Sequence, residues 1–389
     1  MSIGILTLFY KNYNYGGCLQ AYALCKYLND CGQDALQISY DIFQGQHPRL
    51  YKLKKQLKRD GGKAKTLARL AVNSVRVAKV RSKTRPYKEE LDRRAKNFDD
   101  FSFKYIPHTP EFDESKLSDA GKMFDKYFVG SDQVWNPDYQ RVSNCFFLDF
   151  VQDGRDCYSY AASVSRDKIE DPELVRTLLK KFKRISVREP SAMKLLQPLC
   201  DTKVETVIDP TMLISGESWS VTAAERQVSE PYIFCYFLGD NEKHRDFARR
   251  VKSLTGLRLV DIPFGQNSFK ACDADFADIS CTSAGPAEFL SLIKHSELVL
   301  TDSFHACVFS VLFGRKFFVL KRFSDSEKGS MNSRISDLLA SFKLNDRLVG
   351  DDDLTEEQLK REIDFLYAYE HLENERAAAK EFISKCLAD

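Results

Sequence analysis

The 389-residue sequence predicts an α/β protein made of two doubly wound halves that face each other across a cleft. Two observations support this fold class. The first 40 residues read as strand, loop, helix and strand, which is the βαβ unit of a parallel sheet. A second series of alternating strands and helices begins near Pro231. Because open α/β sheets bind ligands outside the carboxyl ends of their strands, we expect the functional site where two such edges meet.

The first series starts with an apolar strand at residues 3–9, a loop of turn-forming residues at 12–17, a helix at 19–28 and a strand at 35–39. A helix is expected at 171–182. Short apolar runs predict further strands at 127–129, 146–150, 157–162, 185–187 and 204–208.

In the second series, Gly314 follows an apolar helix, where a left-handed residue is favoured. The predicted strands lie at 232–238, 258–262, 298–301 and 316–320, and the predicted helices at 243–254, 286–295 and 306–313. We therefore place an N-terminal Rossmann-like domain at 1–225 and a C-terminal one at 226–350. A helical tail at 351–389 is expected to pack back on the first domain.

A basic segment interrupts the N-terminal domain. Residues 49–96 hold 18 Lys or Arg against 4 Asp or Glu, although the whole chain carries only +2. Residues 63–83 combine helical spacing of apolar positions with interleaved basic ones. This pattern fits a core-facing helix and, equally, a helix lying on an anionic membrane surface.

Composition and motifs exclude several classes of protein. No run approaches the roughly 20 apolar residues that span a bilayer, and residues 1–5 do not resemble a secretion signal. The eleven cysteines include no Cys-x-x-Cys pair, which favours reduced thiols in the cytosol over disulfides or zinc. P-loop, zincin, nucleophile-elbow and kinase motifs are missing. We expect a cytoplasmic protein with no metal ion.

Polar residues follow several predicted strands. His305 falls in the first turn of an apolar helix after the strand 298–301, where backbone N–H groups favour anions and an imidazole can exchange protons. Arg188 follows the strand 185–187 and offers a planar fork for carboxylate or phosphate. A space-filling histidine and an ion pair with Glu189 are the structural alternatives. We favour function for His305 because of its place at a strand end.

Two more segments have the composition of a ligand-binding edge. Residues 130–136 bring small residues, a carboxylate, amides and the Trp135 indole directly after a strand, as a sugar site would require, although a capped turn fits equally well. Residues 14–17 allow close backbone approach to a ligand. Asn332 and Arg334 start a helix after residues 324–330, and Arg334 is within reach of the same cleft.

These segments together resemble the polysaccharide pyruvyl transferase family from residue 4 to about 344. The resemblance is carried by GILT at 4–7, NYGGCLQAYAL at 14–24, VGSDQVWN at 129–136, SYAAS at 159–163, SVRE at 186–189 with Ser191, DPT at 209–211, TDSFHA at 301–306 and NSR at 332–334.

The resemblance implies a GT-B-like pair of Rossmann-like domains, the first on the acceptor side and the second on the donor side. It also implies phosphoenolpyruvate as donor, with no cofactor, and a sugar acceptor in a surface polysaccharide or its lipid-linked precursor, modified as a ketal.

Relatives often carry arginine two residues before the late histidine, where this chain has Ser303. The residues expected at the site are His305 and Asp132 for catalysis; Arg188, Ser303, Phe304, His305 and Arg334 for the donor; and Asn14, Gly16, Gly17, Ser131, Asp132, Gln133, Trp135 and Asn136 for the acceptor.

Other functions remain open at this point. A GT-B glycosyltransferase with a nucleotide-sugar donor would have a similar fold and cleft. A non-catalytic protein that binds polysaccharide or nucleic acid through residues 49–96 is a further alternative. Nucleic acid is not expected, because that segment has few interleaved aromatic residues. Contact of residues 49–96 with the anionic inner face of the membrane is expected instead.

Overall fold

The computed structural model describes residues 1–59, 62–140, 143–265, 269–322, 333–350 and 355–389. It contains two six-stranded sheets in which every neighbouring pair of strands is parallel. This confirms the predicted α/β fold class. Within these ranges no helix is both long enough and apolar enough to span a membrane.

The first sheet has the order β2-β1-β3-β4-β5-β6. Its strands are β1 Ser2–Leu6, β2 Asp34–Gln37, β3 Lys126–Val129, β4 Asp156–Ala162, β5 Phe182–Val187 and β6 Val204–Thr206. Its helices are α1 Tyr15–Asp30, α2 Pro48–Arg59, α3 Ala64–Thr84, α4 Lys88–Tyr105, α5 Leu117–Ala120, α6 Pro137–Gln140, α7 Pro172–Leu179 and α8 Pro190–Leu196.

The second sheet has the order β12-β11-β10-β7-β8-β9. Its strands are β7 Tyr232–Tyr236, β8 Arg258–Asp261, β9 Ile279–Ser280, β10 Leu298–Thr301, β11 Phe317–Leu320 and β12 Leu348–Val349. The remaining helices are α9 Gly216–Thr222, α10 Glu242–Thr255, α11 Pro286–Lys294, α12 Phe304–Leu312, α13 Ser333–Ser341, α14 Glu356–Lys360 and α15 Leu366–Ala388.

Apolar packing explains why the central helices form where they do. All nine residues of α12 are buried, as expected for a helix that is hydrophobic on every face. One continuous apolar cluster includes residues of α1, α11, α12 and α15 and thus crosses between the two sheets. The last helix also bonds to the first sheet, because Lys126 Nζ donates to the Cys386 carbonyl over 2.9 Å.

One predicted strand is wrong. Residues 145–147 form a short 3₁₀ turn that ends at Leu148, whose backbone is left-handed with φ 55°. The apolar run that suggested a strand is instead used for packing. Phe147 stacks on Trp135 with the ring centroids 5.5 Å apart. The predicted boundary at 225/226 falls in the connection between Thr206 and Tyr232 and stays a prediction.

Candidate active site

A cleft forms where the switch points of the two sheets face each other. In the first sheet the strand order reverses between β1 and β3, and in the second between β7 and β10. Loops after neighbouring strands diverge at such points and leave a crevice for ligands. The cleft has a volume of about 60 Å³. It is lined by Asn14, Tyr15, Gly16, Asp132, Gln133, Tyr236, Leu238, Phe289, Ser303, Phe304, His305, Arg322 and Arg334.

His305 lies in the first turn of α12, directly beyond the end of β10. Its Nε2 is 3.7 Å from Oδ2 of Asp209. On its other side the ring touches the first turn of α1, where a Cβ placed on Gly16 would lie 1.9 Å from Nδ1. A glycine is therefore needed at position 16 to let the imidazole reach its place. The N-termini of α1 and α12 thus meet at His305, and both helix dipoles favour an anion there.

Arg188 follows β5 and is buried under the cleft. Its Nε donates to Glu189 Oε1 over 2.9 Å and its Nη1 to Asp209 Oδ2 over 2.8 Å. Its guanidinium lies 4.5 Å from the centroid of the Phe304 ring. Among the described residues Nη2 has no hydrogen-bond partner although it is buried. Arg188 therefore forms the predicted ion pair with Glu189, and one N–H group of its guanidinium still has no hydrogen-bond partner among the described residues.

Asp209 joins Arg188 to His305, and it was not among the predicted site residues. Its Oδ1 accepts from the backbone N–H and the hydroxyl of Thr211, which leaves Oδ2 for Arg188 and His305. Burial would raise the pKa of this carboxyl. Interactions with His305 and Arg188 outweigh burial and hold the pKa far below its ordinary value. A permanent carboxylate therefore lies next to the imidazole.

Three further charged groups line the cleft. Asp132 has a left-handed backbone with φ 61° just after β3, and no hydrogen bond to its carboxylate is found in the described part of the chain. Arg322 follows β11, and its Nη2 donates to the Asp302 carbonyl over 2.6 Å. Burial and the nearby Arg188 lower the pKa of Arg334 to about 10, so it remains a cation at neutral pH. Asn332 lies outside the described residues.

Asp302 has a structural role at the second switch point. Its two carboxylate oxygens accept from the backbone N–H groups of Leu238, over 2.6 Å, and Gly239, over 2.7 Å. No side-chain hydrogen bond from Asp302 or from the N-cap residue Ser303 caps α12. The first N–H groups of α12 are consequently not occupied by a side-chain cap at the edge of the cleft.

Several predicted acceptor residues do not reach the cleft. Trp135 is 2% exposed, stacks on Phe147 and donates its indole N–H to the Phe146 carbonyl, so it offers no ring face to a sugar. Asn136 bonds to Gln133 and to the Asp138 N–H and holds a turn. In these two cases the side chain serves the local fold. Of the predicted acceptor set, Asn14, Gly16, Asp132 and Gln133 line the cleft.

Ser131 and Gly17 lie one layer below the cleft. The Ser131 hydroxyl donates to the Ala161 carbonyl over 2.8 Å and lies 3.3 Å from Asp209 Oδ2, so it supports the carboxylate and does not face the cleft. A Cβ on Gly17 would meet the Leu8 carbonyl at 2.6 Å, which makes its role close packing. Gln20, which sequence reasoning missed, binds Thr7 and the Ser131 N–H from the buried face of α1. An uncharged polar residue in the middle of a buried helix is the signal that could have identified it.

Comparisons with known proteins identify the fold and the family. The structure resembles the UDP-GlcNAc 2-epimerase of Methanocaldococcus jannaschii in complex with UDP-GlcNAc and UDP, with a TM-score of 0.51, 13% identity and coverage of 97% of this chain and 94% of that one. It also resembles UDP-GlcNAc 2-epimerase from Neisseria meningitidis bound to UDP-GlcNAc, with a TM-score of 0.50, 10% identity and coverage of 99% of both chains.

At these identities the likeness shows the shared GT-B-type fold alone. No curated protein sequence matches the chain significantly. The model of one family, polysaccharide pyruvyl transferase, matches residues 14–322. That span contains Arg188, Asp209 and His305 together with the second switch point, between β7 and β10. The chain therefore belongs to the polysaccharide pyruvyl transferase family.

Proposed function

We propose that this transferase moves pyruvate from phosphoenolpyruvate onto hydroxyls of a sugar, as a ketal, in a surface polysaccharide or its lipid-linked precursor. The observation that carries the proposal is the Arg188–Asp209–His305 cluster at a cleft between two switch points, in a chain of this family. A guanidinium, an imidazole and two helix N-termini favour a small anion that carries both carboxylate and phosphate.

Donor binding is assigned to the cationic wall of the cleft. Arg322 and Arg334 line the cleft, and Arg188 lies beneath it with a buried Nη2 that has no hydrogen-bond partner among the described residues. Arg322 is ion-paired with Asp302, with Nε 3.3 Å from Oδ2, so Arg334 is the better candidate for the charge that relatives place at the position of Ser303. The cleft is small, with a volume of about 60 Å³, so we expect the loops on its two sides to move apart when phosphoenolpyruvate enters.

The chemistry follows from the enol ester. His305 donates a proton to the C3 methylene of the donor, and C2 becomes electrophilic and is captured by one sugar hydroxyl. The bond between C2 and the phosphate oxygen then breaks, phosphate leaves, and a second hydroxyl attacks C2 to close the ketal. Both hydroxyl protons leave during this sequence. Asp132 accepts one of them, and the imidazole of His305, neutral after protonating C3, takes up the other. Asp209 stabilises the imidazolium that this restores.

The test is to incubate the protein with phosphoenolpyruvate and a panel of glycans and to measure phosphate release and product mass. His305→Ala should lower turnover by about 100- to 10,000-fold while the protein stays folded. His295→Ala, at the carboxyl end of α11, is the matched control and should keep full turnover. Normal turnover of folded His305→Ala would refute the assignment. Stabilisation by nucleotide sugars without any effect of phosphoenolpyruvate would favour a glycosyltransferase instead.

We also propose that α3 holds the protein on an anionic membrane surface. This helix contains six Lys or Arg and no Asp or Glu, and Thr66 is its single buried residue. Leu67 and Val75, which share one helix face, are 55% and 69% exposed. A core-facing helix would bury these positions, so their exposure favours the membrane prediction. An acceptor linked to a lipid would be presented at the same surface.

A further inference from the structure

A second cleft lies beside the active-site cleft and takes no part in the proposed chemistry. It has a volume of about 270 Å³, close to the lower end of typical small-molecule sites, roughly 300 to 1,000 Å³. Its walls are the loop after β1, with Phe9, Tyr10 and Tyr13, and the last two turns of α4, with Asp99 and Phe103. Five aromatic side chains line this second cleft, called the aromatic cleft below: Phe9, Tyr10, Tyr13, Phe98 and Phe103.

The side chains of this cleft match the two faces of a sugar ring. Tyr10 and Tyr13 are partly exposed and Phe103 is 84% exposed, so ring surface is available for the apolar C–H face of a saccharide. Asp99 has no hydrogen bond or ion pair within the described part of the chain. A carboxylate in that position accepts hydrogen bonds from two neighbouring hydroxyls.

The charges of the cleft favour a neutral ligand over an anionic one. Asp99 is followed by Asp100, and burial together with that neighbour raises the pKa of Asp99. Lys11, on the facing loop, has its ammonium group 2.7 Å from Glu111 Oε1. Lys11 offsets part of the Asp99 charge but is itself paired with Glu111, so a phosphate or nucleotide in the cleft would meet two carboxylates and one ammonium group, whereas an uncharged glycan would meet no net repulsion.

The two clefts are separated by a single layer of aromatic rings. Phe98 lines the aromatic cleft, and its ring centroid is 4.8 Å from that of Tyr15, which lines the active-site cleft. The same loop after β1 continues from Tyr13 in one cleft to Asn14 in the other. The two clefts are therefore adjacent in the molecule, one on each side of this aromatic layer.

We propose that the aromatic cleft binds a neutral sugar residue of the acceptor glycan, adjacent to the residue that receives pyruvate. This inference rests on the proposed function for its link to catalysis, but saccharide binding itself needs no donor. Stacking on Phe103 and hydrogen bonds to Asp99 select a glycan of at least two residues, so the enzyme acts on an assembled chain and discriminates against free monosaccharide.

The test measures binding of neutral trisaccharides by saturation-transfer NMR, without donor. The probes are maltotriose, cellotriose, mannotriose, galactotriose and N-acetylchitotriose. At least one should bind to the full-length protein. Asp99→Asn should weaken that binding by at least about tenfold, since hydrogen bonds to charged groups contribute that much. Phe103→Ala should weaken it severalfold.

Asp100→Asn is the matched control, because Asp100 is paired with Lys96 on the outer face of the same helix, and it should leave binding unchanged. Failure of all five saccharides to bind, or equal behaviour of the Asp99 and Asp100 variants, would overturn the inference. Stabilisation of each variant by phosphoenolpyruvate is measured in parallel. If phosphoenolpyruvate does not stabilise the unmodified protein, that result would count against the proposed function and not against the saccharide site.

Discussion

The contact between Gly16 and His305 leads to a quantitative prediction. An alanine at position 16 would put its Cβ 1.9 Å from Nδ1, 2.3 Å from Cε1 and 2.5 Å from Cγ of the imidazole. Since ordinary contacts need about 3.4 Å, the ring has to move by about 1.5 Å. Gly16 lies within α1, where alanine is intrinsically favoured over glycine by about 1 kcal/mol. The substitution should thus affect the position of His305 more than stability.

A displacement of 1 Å in a reacting group costs on the order of 100-fold in rate, so Gly16→Ala should lower kcat/KM by about that factor. Phosphate release from phosphoenolpyruvate is the assay, with thermal melting as the check on folding. The decisive comparison is the double variant with His305→Ala. If Gly16 acts through the imidazole, Gly16→Ala should cause little further loss once the imidazole is removed.

Retention of at least half of the wild-type rate by Gly16→Ala would refute this reasoning. So would a full 100-fold loss on top of His305→Ala, because the glycine would then matter for some reason other than the imidazole.

Three further predictions concern other parts of the molecule. Arg188→Lys should weaken the affinity for phosphoenolpyruvate at least about tenfold, since lysine cannot replace the guanidinium fork. The same change should lower the free energy of unfolding by about 1–3 kcal/mol. Thermal melting with and without donor measures both effects. Burial raises the pKa of Asp261 to about 7, so this carboxyl is neutral in the folded protein at pH 5 and ionised when unfolded. Its contribution to stability is therefore lost as pH rises from about 4 to 7; Asp261→Asn should abolish that dependence in denaturant titrations and be the more stable protein at pH 8. Sedimentation with anionic vesicles should decrease with salt and should be weakened by combined Leu67→Ser and Val75→Ser.

Each of these predictions has its own control. Unchanged donor stabilisation in Arg188→Lys would remove the guanidinium from the donor site. Parallel pH profiles of Asp261→Asn and wild type would show that the carboxyl is ionised in the fold. For the membrane helix, Val221→Ser changes an apolar side chain that is 81% exposed on α9 and should leave vesicle binding intact. Equal sedimentation with neutral and anionic vesicles would exclude the electrostatic attachment.

The sequence predicts most of the fold because its strands are short, apolar and separated by helices. The strand expected at 298–301 is found at Leu298–Thr301, and the helix expected at 63–83 is found at Ala64–Thr84. The prediction of a strand at residues 146–150 was wrong because an apolar run has the same composition whether it forms a buried strand or a packed turn. Tertiary packing also decides which face of α3 is exposed. The sequence alone therefore left two alternatives, a core-facing helix and a helix on an anionic membrane surface.

The site was partly predictable for a topological reason. Arg188 and His305 are far apart in sequence, but each follows a strand, and the carboxyl ends of parallel strands share one edge of a sheet. Asp209 was noted only as part of the DPT segment, because its role lies in contacts with both of them, which the segment itself does not reveal. Trp135 was expected at the acceptor site but packs in the core. An indole beside polar residues looks the same in sequence in both cases.

Arg94, on the inserted helix α4, is a buried cation whose partners all belong to the other half of the molecule. It donates to the carbonyls of Thr282 over 2.6 Å, Pro263 over 2.8 Å and Phe264 over 3.2 Å. Because the guanidinium is planar and rigid, a shift of Arg94 relative to these carbonyls would break all three hydrogen bonds together. The basic insertion therefore fastens the two halves of the molecule to each other at a buried point, in addition to presenting positive charge at the surface.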